Sequence, residues 1–330
     1  MTSHNAVLLK EAIESLNIKK GDTVVDATLG GGGHSRKILE VIGDEGTLIA
    51  IDRDVEAIGR FAGLSSESFA PEQIVFKKDN LILVHENFCK LKDILDSLNI
   101  KNACLPVGKV DAILADFGIS SDQLDSNERG FSFLSDADLD MRMDNSCKEG
   151  NDLTAENILN EYSKEELIRI FREYGEEQYA SQIAKNIIES RKEKKIKTTF
   201  ELVEIISSSI PLKYKHKKIH FATKIFQALR IEVNDELKSI DKFTRDAIDV
   251  LKTGKRLVVI SFHSGEDRVV KDIFKKEEKD CVCPPEFPVC RCEKESRVKI
   301  ITKKPVVASE DEISDNPRSR SAKMRVIEKK

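Results

Sequence analysis

Val24-Val25-Asp26-Ala27-Thr28-Leu29-Gly30-Gly31-Gly32-Gly33-His34-Ser35 decides how the rest of the chain is read. A short apolar run ends in glycines, and helical spacing runs from Ser35 to about residue 42. This is a strand, a turn that uses glycine's freedom, and a helix. Working outward, residues 46–51 form a second apolar run ending in Asp52, and 55–61 reads as a helix. Residues 81–84 and 110–115 read as a third and a fourth strand, the last followed by Asp116. Strands separated by helical patterns predict βαβ units and a parallel sheet with right-handed crossovers. From about 152 to 210 the pattern is helical only. Ser163 with Glu166 and Thr198 with Glu201 make capping boxes, Gly175 is a helix stop, and Pro211 closes the stretch. Residues 221–233 and 236–251 also read as helices, and strand character returns at 256–262, 298–301 and 324–327. An interrupted and resumed α/β pattern predicts a Rossmann-like domain over 1–139 and 217–330, with an inserted all-helical domain at 140–216.

The chain has 330 residues, 40% apolar and 34% charged, which excludes disordered and membrane-embedded classes. Its apolar runs are strand-length, far short of a bilayer span. The opening residues carry no export signal, so the expected compartment is the cytoplasm. A net charge of −4 excludes a chain that is cationic as a whole. Local basic stretches remain, around Lys213, Lys215, Lys217 and Lys218 and again from Arg318 onward. Such stretches bind phosphate or simply form a solvated face. Seven cysteines without a secretory signal imply reduced thiols. Four of them form Cys281-x-Cys283 and Cys290-x-Cys292 around Pro284-Pro285. Structural zinc normally uses two to four residues between paired cysteines, and a single residue strains the site. The segment is therefore read first as an ordered loop of reduced thiols, with zinc binding as the open alternative, and no metal ligand is assigned.

The glycine run and the Asp52 that follows about twenty residues on indicate a nucleoside cofactor. The helix start offers free N–H groups, and a strand-end carboxylate accepts ribose hydroxyls. A dinucleotide site would show spaced G-x-G-x-x-G. Consecutive glycines preceded by Asp26 suit a cofactor with a cationic amino-acid end, which favours S-adenosylmethionine over NAD. A glycine loop serving only as a turn remains open at this point.

Several blocks taken together resemble one family. They are the glycine segment, the run from Asp116-Phe117-Gly118 to Leu124-Asp125, Glu128-Arg129-Gly130-Phe131-Ser132-Phe133, and Leu139-Asp140-Met141-Arg142-Met143-Asp144. Tyr174-Gly175-Glu176-Glu177, Phe226-Gln227-Ala228-Leu229-Arg230 with Asn234, Ile260-Ser261-Phe262-His263-Ser264 and Asn316-Pro317-Arg318-Ser319-Arg320 complete the set. In this order they are similar to the bacterial ribosomal RNA small-subunit methyltransferase H, or MraW, family, from His4 to the C-terminus. The resemblance implies a class I S-adenosylmethionine-dependent methyltransferase that modifies the N4 amine of a cytidine in 16S rRNA of the small ribosomal subunit, at the decoding centre near the P site. Carried over by motif, Gly32, Gly33, His34, Asp52, Phe88, Asp116 and Gln123 are the cofactor residues. Departures fall at Ala6, Phe221, Lys224 and Gly265, and 65–80 is longer than the family pattern.

Asp116, at the carboxyl edge of the sheet where such folds bind ligands, is the expected catalytic group. It would accept a hydrogen from a weakly nucleophilic exocyclic amine; the alternative is a strand-end aspartate capping the next turn. Phe88 packs on adenine or in the core. Residues 129–144 would close over a flipped base or simply connect domains. Arg129, Arg142, His220, Arg230, Asn234, His263, Arg268, Arg318 and Arg320 are the RNA-side candidates, with Lys323 and Arg325 as further phosphate contacts, and the helical insert is expected to help recognise RNA. Competing readings are an amino-methyltransferase acting on DNA or protein, and a non-catalytic ribosome-assembly protein.

Overall fold

The computed structural model describes residues 6–63, 75–100, 109–118, 129–143, 153–215, 220–281, 283, 291–292 and 294–330. The chain divides into two compact units, Met1–Gly118 with Leu237–Lys330, and Ile119–Glu236. The second unit is thus wider than the 140–216 insert read from sequence. It takes in the 129–143 stretch and a helix at Thr223–Asn234, because both bury side chains in its helical core.

The first unit is built on eight strands: β1 (Thr23–Asp26), β2 (Thr47–Asp52), β3 (Val75–Lys78), β4 (Leu81–His85), β5 (Val110–Asp116), β6 (Leu251–Ser261), β7 (Val298–Ile300) and β8 (Lys323–Lys329). Their order in the sheet is β3-β4-β2-β1-β5-β6-β8-β7. β4, β2, β1, β5 and β6 are parallel, whereas β3 pairs antiparallel with β4 and β8 with β6. β3 has no counterpart among the expected strands.

Strand side chains divide by parity. Val25, Ile49, Ile51, Ile82, Val84, Ile113, Ala115, Leu257 and Val259 face one apolar cluster. Val24, Leu48, Ala50, Leu83, Ala112, Leu114, Val258 and Ile260 face the other. A sheet apolar on both faces must be covered on both. Helices α1 (Leu9–Leu16), α2 (Gly33–Ile42) and α3 (Val55–Ala62) cover one face through Ala12, Leu16, Ile38, Ile42 and Ile58. The other face carries α4 (Leu91–Ile100), with Leu91, Ile94, Leu95 and Leu98. Two longer helices share that face, Glu236–Val250 through Phe243 and Ala247, and Ser264–Glu278 through Val270, Ile273 and Phe274.

The second unit holds helices Ala155–Glu161, Lys164–Glu173, Ala180–Glu193, Thr199–Ser209, Leu212–Lys215 and Thr223–Asn234. Ser163 and Thr198 make the expected capping boxes with Glu166 and Glu201, and Thr154 makes a third with Asn157. Each satisfies helix amides that have no intrahelical partner.

Candidate active site

Three of the five parallel strands end in aspartates. Asp26 closes β1, Asp52 closes β2 and Asp116 closes β5. Around them the chain builds a tight loop. Gly32 sits at φ +73° at the start of α2, and a Cβ there would lie 2.2 Å from the Phe61 ring. A Cβ on Gly33 would lie 2.8 Å from that of Ala6. Both glycines are therefore demanded by the protein's own packing. Gly30, at φ +49°, donates its amide to Asp52 Oδ2 at 2.7 Å. Asp52 Oδ1 accepts from the Asp54 amide at 2.8 Å. Each carboxylate oxygen holds two lone pairs, so acceptor capacity remains at Asp52.

Asp26 behaves differently from its sequence reading. It is 1% exposed, and its oxygens accept from the Ser35 hydroxyl at 2.6 Å and the Thr28 amide at 3.1 Å. It ties the glycine loop to β1 rather than presenting a carboxylate to solvent. Burial pushes its pKa up to about 7, against the pull of these two bonds. Burial also raises Asp52.

Asp116 is the most perturbed of the three. Its amide donates to Thr28 Oγ1 at 2.7 Å, which fixes the strand end beside the glycine loop. Among the described residues its buried Oδ1 finds no hydrogen-bond partner, yet 23% of the side chain stays accessible. Burial, then the nearby Asp26 and Glu266 carboxylates, push its pKa well above the usual range. His34 lies against it, with Nδ1 3.8 Å from Asp116 Oδ2, and does not neutralise it. The His34 Nε2 is 3.1 Å from the Val7 carbonyl, which can only accept, so the proton sits on Nε2 and a lone pair faces Asp116. Burial lowers the His34 pKa to about 4.

Phe88 is half-buried. Its ring meets Phe117 at 5.5 Å and Phe243 edge-on at 5.4 Å, and the Arg53 guanidinium lies 5.8 Å from its centroid. The spare acceptor capacity of Asp52 and the acceptor at Asp116, which no cation compensates among the described residues, suit a ligand that carries positive charge and hydroxyl donors. The amides that open α2 have no side-chain cap and suit its carboxylate. Thr28, Ser35, Arg53 and Glu266 were missed from sequence. Only the closeness of Thr28 and Ser35 to the glycine run signalled them.

The other sequence candidates are placed as follows. Gln123 lies outside the described residues, as does Cys290. In the first unit, His263 caps the Ser264–Glu278 helix, its Nδ1 accepting the Gly265 and Glu266 amides at 3.2 and 3.4 Å. Arg325 is engaged bidentately by Asp267 at 2.6 and 3.1 Å, and Lys323 Nζ lies 3.9 Å from the same carboxylate. Arg268, Arg318 and Arg320 are exposed. In the second unit, Arg230 pairs with Glu236 at 2.7 and 2.8 Å. Asn234 is 8% exposed; it accepts the Met143 amide and donates to the Met141 and Arg230 carbonyls. Arg142 pairs with Asp140 at 2.7 Å through two nitrogens, and Arg129 lies over Phe131. Lys224 donates to the Glu176 carbonyl at 2.7 Å. His220 is exposed and stacks on Phe133, with centroids 4.4 Å apart. The 129–143 stretch buries Phe131, Leu139 and Met141, so it is part of this unit's core rather than an open connector.

The sheet order around β1, the glycine loop and the strand-end carboxyls define a class I S-adenosylmethionine-dependent methyltransferase. Comparison with known proteins narrows this. The chain belongs to the MraW methylase family, whose model matches residues 1–330. It is 46% identical over 326 residues to the ribosomal RNA small subunit methyltransferase H of Clostridioides difficile (strain 630), covering 99% of this chain and 98% of that one. It is 48% identical over 326 residues to the protein so named in Clostridium botulinum (strain Loch Maree / Type A3), with the same coverage. In Halothermothrix orenii the figure is 47% over 329 residues, covering 100% and 99%.

Proposed function

We propose that the protein transfers a methyl group from S-adenosylmethionine to the exocyclic N4 amine of a cytidine in 16S rRNA of the small ribosomal subunit, at the decoding centre near the P site. The relatives' names support the rRNA class, and the observation that carries the chemistry is Asp116. An orphaned acceptor at a strand end, kept partly accessible, suits an amine whose lone pair is delocalised into a ring. By taking a hydrogen bond from that amine, Asp116 would hold its direction and localise its lone pair, and alignment supplies much of the rate. Bound S-adenosylmethionine supplies the electrophilic methyl carbon. Asp52 would accept the ribose hydroxyls, Phe88 would pack on adenine, and Gly32 and Gly33 would shape the loop. His34, held neutral, would keep positive charge out of Asp116's reach. Gln123 is carried here by resemblance.

For RNA contact, Arg268, Arg318 and Arg320 in the first unit and His220 in the second are favoured on their exposure, and Arg129 stays a further candidate. Arg142, Arg230, Asn234, His263, Lys323 and Arg325 are less exposed. The second unit would help to hold the RNA. Among the described residues no helix is long and apolar enough to cross a membrane, and a cytoplasmic enzyme is the reading adopted. The test is incubation with labelled S-adenosylmethionine and small subunits that lack the modification, followed by nucleoside analysis. Label on N4 of cytidine is expected; label on adenosine or on protein would overturn the proposal.

A further inference from the structure

The segment between the Ser264–Glu278 helix and β7 gathers sulfur. The Sγ atoms of Cys281, Cys283 and Cys292 all lie within 4.8 Å of one another. Those of Cys281 and Cys292 are 3.8 Å apart. A disulfide needs about 2.05 Å. Two thiolates on one tetrahedral zinc ion, each about 2.3 Å from it, stand about 3.8 Å apart. Backbone amides point at the sulfurs: Cys283 N–H donates to Cys281 Sγ at 3.3 Å, and Arg291 N–H to Cys283 Sγ at 3.4 Å. These bonds turn the sulfurs of Cys281 and Cys283 toward the backbone of the same segment.

The two arms that carry the thiols are fastened together. Ser296 N–H donates to Asp280 Oδ1 at 3.0 Å, Lys294 Nζ to the Lys279 carbonyl at 2.7 Å, and Arg297 N–H to the Glu277 carbonyl at 2.9 Å. This explains why the one-residue spacing is no obstacle. The third sulfur comes from the opposite arm, and the Cys283 amide folds back on Cys281 so that the neighbouring sulfurs converge.

We infer that Cys281, Cys283 and Cys292 form a zinc site that pins this loop. A soft, all-sulfur donor set selects zinc over magnesium or calcium. The site is structural. The helix preceding it starts at the cofactor edge of the sheet, just after β6, and its 15 residues carry the chain about 22 Å away. The inference rests on the three described thiols alone.

The test uses the full chain, purified under reducing conditions without chelator. Elemental analysis should find one zinc per chain. Cobalt exchange should give a thiolate-to-metal charge-transfer band. C281S and C292S should each lose both signals, while C89S, altered between β4 and α4, keeps them. S-adenosylmethionine binding, measured by calorimetry, should persist in C281S and C292S and certifies that they fold. Should they fail to fold, wild-type metal content and cobalt titration decide. Zinc-free protein that takes up no cobalt overturns the inference. So does intact-mass evidence of a Cys281–Cys292 disulfide in protein handled anaerobically.

Discussion

β5 carries two aspartates, five residues apart, in opposite electrostatic settings. Asp111, near the start of the strand, sits between lysines. Lys252 Nζ is 2.8 Å from its Oδ2 and Lys255 Nζ 3.1 Å from its Oδ1, with the Thr23 amide as a third donor at 3.1 Å. Lys255 also reaches Asp22 at 3.0 Å. Burial alone would raise the Asp111 pKa, but Lys252, the Thr23 amide and Lys255 together bring it below the usual value. Asp116, at the other end, is driven upward by burial and then by the Asp26 and Glu266 carboxylates. One sheet therefore has an edge where charge is compensated by the fold and an edge where it is left for a ligand to compensate. Perturbation of the second kind marks functional sites.

This contrast can be broken, most severely at Asp116. Asp116→Asn keeps the shape, removes the charge and replaces one acceptor oxygen by an NH₂ donor. Turnover should fall by about 100-fold or more, with a thermal midpoint equal to or above wild type, read by labelled methyl transfer and calorimetry. Near-normal turnover would make Asp116 an ordinary strand-end residue and erase the contrast.

The next largest effect is expected at Asp26, as a pH dependence. Its folded pKa of about 7 exceeds the ordinary 3.8, so between these values the folded state binds more protons than the unfolded one. Its contribution to stability is full below pH 4 and is lost as pH rises through 7, a loss on the order of 4 kcal/mol. His34 runs the other way, losing stability as pH falls from 6.5 toward 4. The clean measurement is denaturant unfolding of ligand-free wild type against Asp26→Asn at several pH values. Parallel curves would mean that Asp26 ionises normally in the fold.

Asp52→Asn sharpens the comparison at the cofactor. It removes a charged acceptor, and affinity for S-adenosylmethionine should weaken by about tenfold, or ~1.5 kcal/mol. Calorimetry that finds no change would move the ribose elsewhere. The smallest effect belongs to the compensated edge. Asp111→Asn should cost about 1 kcal/mol of stability, since its lysines stay partly hydrated, and leave both kcat and KM alone. A kinetic defect there would mean that the two edges are coupled.

Much of this was legible because it is local. The glycine run, the strand-end aspartates and both expected capping boxes are set within a few residues. The Asp111–Lys252–Lys255 network was not legible, since its members come from strands that only the fold brings together. β3 was missed because Val75-Phe76-Lys77-Lys78 is short and half charged, as an edge strand tends to be. Arg230, Asn234 and His263 carry the polar groups expected of RNA contacts. Sequence cannot distinguish a guanidinium that waits for phosphate from one that Glu236 has already taken.

The neighbours β5 and β6 have the whole of the second unit between them in the sequence. During synthesis β4, β2, β1 and β5 can associate early, while β6 has yet to be made. Until it arrives, β5 presents Ile113, Leu114 and Ala115 along an unpaired edge, the kind of surface that recruits other chains. Expression yield and refolding of this protein should therefore depend on how quickly the second unit folds and delivers β6, and a nascent chain stalled within that unit would be a natural client for a holding chaperone.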